Sequence, residues 1–177
     1  MRADSNADSV ERFLRALGAH GRAGDRVYLA GGATAVTVGW RSYTQDVDVR
    51  LESEAPDDLL RAISALKEKL DVNVELAGPL DFLPEPAGWR DRSAYLGRYG
   101  AIDVFQTDFA LQALAKLERG LDRDLADVDA MLERGLTTGD AIKALFLEIE
   151  AELFRFPAVD SDSLASRVAA AVRSRGS

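Results

Sequence analysis

The stretch from Gln45 to Glu52 constrains the fold of this chain more than any other. It reads QDVDVRLE and alternates strictly between polar and apolar residues. Because successive side chains of a β-strand point to opposite faces, this alternation predicts a strand with one buried face and one polar face. Its valines would face a core, whereas Asp46 and Asp48 would project together from the polar face.

A second strand is predicted just upstream, at 27–30. The run VYLA is continuously apolar and ends in Gly31 and Gly32, which is typical of a buried strand followed by a tight turn. Glycines let the backbone approach a phosphate closely, and the short helix predicted at 33–39 would present free N–H groups at its N-terminus. The sequence therefore predicts a strand–turn–helix unit that can bind an anion.

The remaining pattern predicts an α/β (α+β) fold, with a mixed sheet flanked by helices and a C-terminal helical region. Further strands are expected at about 72–77 and, turning at Gly100, within 93–105. Helices are expected at about 8–20, 56–70, 108–119, 122–134, 138–154 and 160–174. We expect an α/β core at 1–107 and a helical region at 108–177 that packs on it.

Composition excludes several kinds of chemistry. Among 177 residues there is no cysteine and one histidine, which excludes disulfides, thiolate metal sites and a cysteine nucleophile, and disfavours a multi-histidine zinc site. The net charge of −8 argues against a protein that coats nucleic acid. The 30 acidic residues favour a magnesium site made of carboxylates. The charged N-terminus and the lack of a long apolar run predict a cytoplasmic protein without a membrane partner.

Two aspartates on one strand face, Asp46 and Asp48, repel each other unless they bind a hard cation; the alternative is a solvated strand face. Arg41 would either pair with one of these aspartates or contact a triphosphate, which a guanidinium group suits. Thr44 would either shape the turn before the strand or contribute to nucleotide binding.

The pattern GG-A followed by R-x-x-T-x-D-x-D resembles the minimal nucleotidyltransferases of the DNA polymerase β superfamily. The resemblance implies that Gly31 and Gly32 lie beside a nucleoside triphosphate. It also implies that Asp46 and Asp48 bind magnesium, with manganese as the alternative ion. The superfamily often has Gly-Ser where this chain has Gly31-Gly32, so a serine contact to phosphate is missing.

The same resemblance implies a third metal-binding carboxylate on a later strand. Glu75, on the polar face of the strand expected at 72–77, is the first choice. Asp81, in a proline-bounded loop just after that strand, is the second, and Asp103 is the third.

The segment FALQALAKLERGLDRDLADVD, at 109–129, is similar to a helical motif of abortive-infection-type nucleotidyltransferase toxins. That resemblance implies that Lys116 and Asp127 join the catalytic residues, and that Lys116 and Asp124 contribute to nucleotide binding. The alternatives are a surface lysine and acidic residues that complement a helix dipole, which suits Asp124 better than Asp127. The segment VELAGPLDFLP, with the arginines after it, resembles an uncharacterised branch of the same group.

The resemblance implies a magnesium-dependent transfer of a nucleoside monophosphate from a nucleoside triphosphate to a hydroxyl of RNA, protein or a small molecule. The chain would then be the toxin half of a toxin–antitoxin or phage-defence pair, with an antitoxin as partner. The alternative is an inactive nucleotide-binding or protein-interaction module. Trp89, Arg90 and Arg92, together with Arg98, are the residues that could favour an RNA acceptor. The helices from Thr138 onward could instead form a homodimer or partner interface.

Overall fold

The computed structural model describes residues 3–174 and has a mixed α/β fold, as the sequence predicts. Its α-helices are α1 Ala7–Gly18, α2 Gly31–Val38, α3 Pro56–Lys69, α4 Trp89–Arg92, α5 Phe109–Arg119, α6 Asp122–Glu133, α7 Gly139–Ile149 and α8 Ser161–Arg173. Its strands are β1 Arg26–Ala30, β2 Val47–Glu52, β3 Val74–Glu75, β4 Ala94–Tyr99 and β5 Ile102–Gln106. Short 3-10 helices form at Pro79–Asp81 and Glu150–Arg155.

The chain forms two compact units. The sheet unit contains the described residues up to Gly78 together with Ala94–Gln106, and the helical unit contains Pro79–Ser93 and the described residues from Thr107 onward. In the structure, Pro79–Ser93 groups with the helical unit. The sequence-based boundary between 107 and 108 stays a prediction.

The sheet unit has five strands in the order β3-β2-β1-β5-β4. The central strand β1 runs antiparallel to β2 and parallel to β5, while β3 is parallel to β2 and β4 is antiparallel to β5. The sheet is therefore mixed. Ala30, the last residue of β1, pairs with Asp48 of β2. This pairing brings the acidic strand β2 beside the end of β1, where Gly31 and Gly32 follow.

The alternation of β2 has the predicted outcome. Val47 and Val49 are fully buried in a core that α1, α2 and α3 share with the sheet. Helix α1 supplies an apolar stripe to this core, consisting of Val10, Phe13, Leu14 and Leu17. Burial of Val47 and Val49 in this core is the main force that holds β2 in register.

Two strand predictions differ from the structure at their ends. β2 begins at Val47, so Asp46 precedes the strand. β3 contains only two residues, and Leu76, which the alternation placed on the apolar face, is 56% exposed. The reason is that β3 is an edge strand with a single neighbour, and its ladder ends where Glu75 pairs with Asp48.

Within the helical unit, 79–93 is attached by specific contacts. Trp89 is fully buried and its indole N–H donates to Glu85 at 2.7 Å. Arg92 pairs with Asp108, the N-cap residue of α5, also at 2.7 Å. The short helix α4, Trp89–Arg92, is not foreseen from the sequence. None of the helices in residues 3–174 combines the length and apolarity needed to span a bilayer.

Candidate metal and nucleotide site

Gly31 and Gly32 form the glycine turn, which follows β1 directly and begins α2. Ala30, whose side chain has no hydrogen-bonding group, is the N-cap of α2. Gly31 has a φ of +56°, in the left-handed region that glycine adopts without strain. A β-carbon on Gly31 would lie 2.2 Å from Oδ2 of Asp48. The Asp48 carboxylate therefore lies directly against the start of α2.

The second glycine is required by Thr44. A β-carbon on Gly32 would lie 1.9 Å from the hydroxyl oxygen of Thr44, so a serine at position 32 would not fit beside this threonine. Thr44 is buried, and its hydroxyl donates to the main-chain oxygen of Asp46 at 3.0 Å. Its backbone N–H donates to Ser5 at 2.8 Å. These contacts give Thr44 a role in shaping the turn before β2, and its predicted contact with a nucleotide stays a prediction.

The acidic residues meet at the edge of the sheet. Asp48 of β2 and Glu75 of β3 are partners in the strand register, so their side chains leave the sheet on the same face. Asp46 lies immediately before β2, and its carboxylate accepts a hydrogen bond from the side-chain amide of Asn73. The main chain adds a second link, because Val47 N–H donates to Asn73 at 2.8 Å.

The structure thus brings Asp48 and Glu75 side by side and fixes Asp46 through Asn73. As placed, no group of three or more acidic or histidine side chains in residues 3–174 is arranged to hold a metal ion. Carboxylate oxygens are nevertheless the donors that magnesium prefers, and the Asp48 oxygen beside Gly31 lies where a β-carbon would otherwise be. The donor chemistry therefore fits a hard divalent cation.

Of the alternative third carboxylates, Asp103 lies at the opposite end of β1 from Asp48. Asp103 pairs with Arg98 at 3.0 Å, and the hydrogen bonds from this guanidinium lower the pKa of Asp103. Asp103 pairs with Arg26 of β1, whereas Asp48 pairs with Ala30 of the same strand. Arg26 and Ala30 are four residues apart, a distance of about 13 Å along the strand. Asp81 is exposed and ends the first 3-10 helix of the helical unit. Glu75 is the candidate that the strand register favours.

Arg41 lies beyond the other end of α2 from the glycine turn. Its backbone N–H donates to Ala35 at 3.2 Å, past the helix C-terminus at Val38. A helix of this length separates its two ends by about 10 Å. The backbone therefore does not bring Arg41 to the turn, and its contact with a triphosphate stays a prediction.

The predicted residues of the helical unit form a buried ion-pair network. The ammonium group of Lys116 lies 2.6 Å from Asp127 and 3.5 Å from Asp124. Asp124 also accepts from Arg119, whose Nε lies 3.1 Å from it. Side chains of Lys116 and both aspartates are 6% exposed or less. The alternative of a surface lysine is therefore wrong, and the catalytic role of this network stays a prediction.

The residues considered for an RNA acceptor are occupied within the chain. Trp89 is fully buried, so its ring is not available to stack on a base. Arg90 lies over that ring at 4.5 Å and pairs with Glu85. Arg92 and Arg98 each pair with an aspartate.

One residue of this site was not singled out from the sequence. Asn73 lies within the strand expected at about 72–77, and its link to Asp46 depends on how β2 and β3 pair. The signal that could have found it is its position two residues before Glu75, on the same strand face.

Comparisons of the chain with protein-family models, with curated proteins and with solved structures give no match. A proposal for its function therefore rests on the geometry and chemistry described above.

Proposed function

We propose that the chain is a magnesium-dependent nucleotidyltransferase that transfers a nucleoside monophosphate from a nucleoside triphosphate to a hydroxyl group. The observation that carries this proposal is the position of Asp48. Its carboxylate lies against Gly31 at the start of α2 and beside Glu75 on the next strand. One acidic group thus adjoins both an anion-binding turn and a second acid.

This arrangement calls for a cation. The N-terminus of α2 favours a phosphate, whereas the nearby carboxylate of Asp48 repels one. A divalent cation between the two anions removes the conflict. Magnesium held there by Asp46, Asp48 and Glu75 would supply positive charge to the triphosphate and to the attacking oxygen.

The residues of the chain then have separate tasks. The N–H groups at Gly31 and Gly32 bind phosphate oxygens, and Asn73 keeps the Asp46 carboxylate in place. The acceptor oxygen forms a bond to the α-phosphorus while the bond to the bridging oxygen of the β-phosphate breaks. Pyrophosphate leaves, and the proton of the acceptor hydroxyl passes to a carboxylate or to water.

The acceptor class is RNA, a protein or a small molecule. The resemblance to abortive-infection-type toxins supports RNA or protein, together with a role as a toxin that an antitoxin neutralises. The pairing of Arg90, Arg92 and Arg98 with acids of the chain leaves less positive charge for RNA, which moves the balance toward a protein hydroxyl.

A second candidate function is a nucleotide-binding or protein-interaction module without turnover. It is favoured by one observation: the Asp46 carboxylate accepts a hydrogen bond from Asn73. A structural role for Asp46 would leave Asp48 and Glu75 to bind a metal–nucleotide complex without turnover.

The first experiment is a thermal-shift panel with ATP, GTP, CTP and UTP, each with and without magnesium. We expect a magnesium-dependent rise in Tm for at least one nucleotide in the wild type and its loss in Asp46→Asn/Asp48→Asn. The matched control is Asp57→Asn/Asp71→Asn, which removes two exposed charges from the same unit and should keep the response. No shift under any condition would refute both the transferase and the nucleotide-binding module, and would leave only the protein-interaction module.

Turnover separates the two candidates. With a panel of RNA, protein and small-molecule acceptors, transfer releases pyrophosphate, and we expect that release to be lost in Asp46→Ala. A nucleotide response without pyrophosphate release across the panel would support the binding module instead.

A further inference from the structure

Three polar residues at alternate positions, Thr44, Asp46 and Asp48, connect the glycine turn to the acidic strand. The two outer residues lie against the two glycines. A β-carbon added to Gly32 would collide with the Thr44 side chain, and one added to Gly31 would collide with the Asp48 carboxylate. The start of α2 is therefore in contact with the acidic segment at two points, on either side of Asp46.

The hydroxyl group of Thr44 contacts both halves of the candidate site. It donates a hydrogen bond to the main-chain oxygen of Asp46 at 3.0 Å, and it fills the space directly beside Gly32. The same Asp46 oxygen lies 3.4 Å from the position that a Gly32 β-carbon would take. Because branching at the β-carbon restricts the rotamers of threonine, the Thr44 side chain is a stiff spacer between Gly32 and Asp46.

The main chain of Thr44 is fixed from another direction. Thr44 and Ser5 form an antiparallel bridge with two backbone hydrogen bonds, of 2.7 and 2.8 Å, and both residues are buried. Ser5 directly precedes Asn6, the N-cap of α1, whose side chain accepts from the Ser9 N–H at 2.9 Å. Thr44 is thereby linked to a helix that contributes to the core of the sheet unit.

We propose that Thr44 is a positioning residue that sets the distance between the glycine turn and the metal-binding carboxylates. This inference rests on the proposed function. Magnesium binds oxygen at about 2.0–2.1 Å and requires nearly ideal octahedral geometry. An ion shared by a phosphate and the carboxylates therefore tolerates little change in their separation. Thr44 acts through Gly32 and Asp46, and this role requires no contact of its own with the ion or the nucleotide.

The test compares Thr44→Val, which removes the hydroxyl and keeps the branched shape, with Thr44→Ser, which keeps the hydroxyl. Two probes report on the two halves of the site in the full chain. Electron paramagnetic resonance measures the binding of Mn²⁺ alone, and calorimetry measures the binding of inorganic tripolyphosphate in excess magnesium. We expect Thr44→Val to weaken both by about tenfold or more in Kd, the usual size of a lost outer-shell contact at a metal site. Thr44→Ser should bind both probes nearly as the wild type does.

The matched control is Thr37→Val, in the last turn of the same helix. The Thr37 hydroxyl also donates to a main-chain oxygen, that of Ala33 at 2.8 Å, and it accepts from the Gln106 side chain at 2.7 Å. Thr37→Val should lower the midpoint of urea denaturation at least as much as Thr44→Val does. It should nevertheless leave both dissociation constants unchanged, because Thr37 lies at the other end of α2 from the glycine turn.

Three results would overturn the positioning role and leave the proposed function intact. The first is a Thr44→Val variant that binds both probes as the wild type does. The second is a Thr44→Ser variant as weak as Thr44→Val, and the third is an equal loss of binding in Thr37→Val. A wild-type chain that binds neither Mn²⁺ nor the magnesium–tripolyphosphate complex would instead refute the proposed function, and this inference with it.

Discussion

The two units of the chain each hold a cluster of carboxylates, and they treat them in opposite ways. In the helical unit, Asp124 and Asp127 are buried and are neutralised by Lys116 and Arg119. In the sheet unit, the strand partner of Asp48 is another acid, Glu75, and the hydrogen-bond donor to Asp46 is the neutral amide of Asn73.

The difference follows from burial. A buried carboxylate destabilises the fold unless the chain itself provides a cation, because desolvation of a lone charge is costly. Asp48 is half-buried and Glu75 is exposed, so water reaches both side chains. The helical cluster is therefore neutralised within the folded chain, whereas under the proposed function the sheet cluster binds a cation from solution.

The largest expected effect comes from removing the cation of the helical cluster. Lys116→Met should lower the free energy of unfolding by about 3–5 kcal/mol, because it removes the ammonium group that pairs with the buried Asp127. Urea denaturation monitored by circular dichroism measures this. The control is Arg155→Met, which breaks an exposed pair with Glu152 and should cost at most about 0.5 kcal/mol. Equal effects of the two substitutions would remove the contrast between buried and exposed charge.

A smaller effect on stability, with a large one on ligand response, is expected at the glycine turn. Gly31→Ala places a methyl group where the Asp48 carboxylate lies and should displace that carboxylate. Gly39→Ala is the matched control, since Gly39 also has a positive φ but has nothing within 4 Å of the added β-carbon. Both should lose about 1 kcal/mol from strain. Only Gly31→Ala should lose the magnesium-dependent rise in Tm with nucleotide. If Gly31→Ala kept that rise, Gly31 would not be part of the nucleotide site.

Much of the sheet unit could be predicted because its pattern is local. The alternation around Asp46 and Asp48 and the glycine pair after the first strand are both visible within a few residues, and the two aspartates and two glycines do come together. Their meeting follows from the antiparallel pairing of β1 and β2, which returns the chain to the end of β1 after it has passed through α2.

What could not be predicted depends on contacts between distant residues. The partnership of Asp48 with Glu75 and the link of Asn73 to Asp46 need the register of an edge strand that is only two residues long. The attachment of 79–93 to the helices depends on Trp89 burying its ring and on Arg92 finding Asp108. No periodicity in these stretches carries that information.

The effect of a substitution at Glu75 on the free energy of unfolding should change sign when magnesium is added. Glu75→Gln removes a like charge from beside Asp48, which should raise the free energy of unfolding by about 0.2–1 kcal/mol in chelator. In magnesium the same variant should be less stable than the wild type, because it has lost a ligand. Glu68→Gln, an exposed acid of α3, is the control and should show no change of sign. Equal behaviour of Glu75→Gln in both media would argue against a metal at this pair.

The smallest expected effect concerns Asp103, an acid of the sheet unit that already pairs with Arg98. Arg98 lowers the pKa of Asp103 below its ordinary value of 3.8. The stabilisation that the Arg98–Asp103 pair gives is therefore complete above pH 3.8. It is lost as the pH falls through the lowered pKa that Asp103 has in the folded state. Arg98→Gln should be slightly less stable than the wild type at neutral pH, and the gap should close below about pH 4. Denaturation midpoints between neutral and acid pH test this, and a constant gap would contradict it.

The path of the chain between the two units sets an order for completing the sheet during synthesis. When the ribosome has released the chain as far as Gly78, β1 already has β2 at one side but not β5 at the other. The middle strand of the finished sheet is then an open edge, which is a template for pairing with other chains. Only after the chain has passed through 79–93 and returned does β5 close that edge. A nascent or truncated chain that ends before Gln106 should therefore be the form most prone to aggregate.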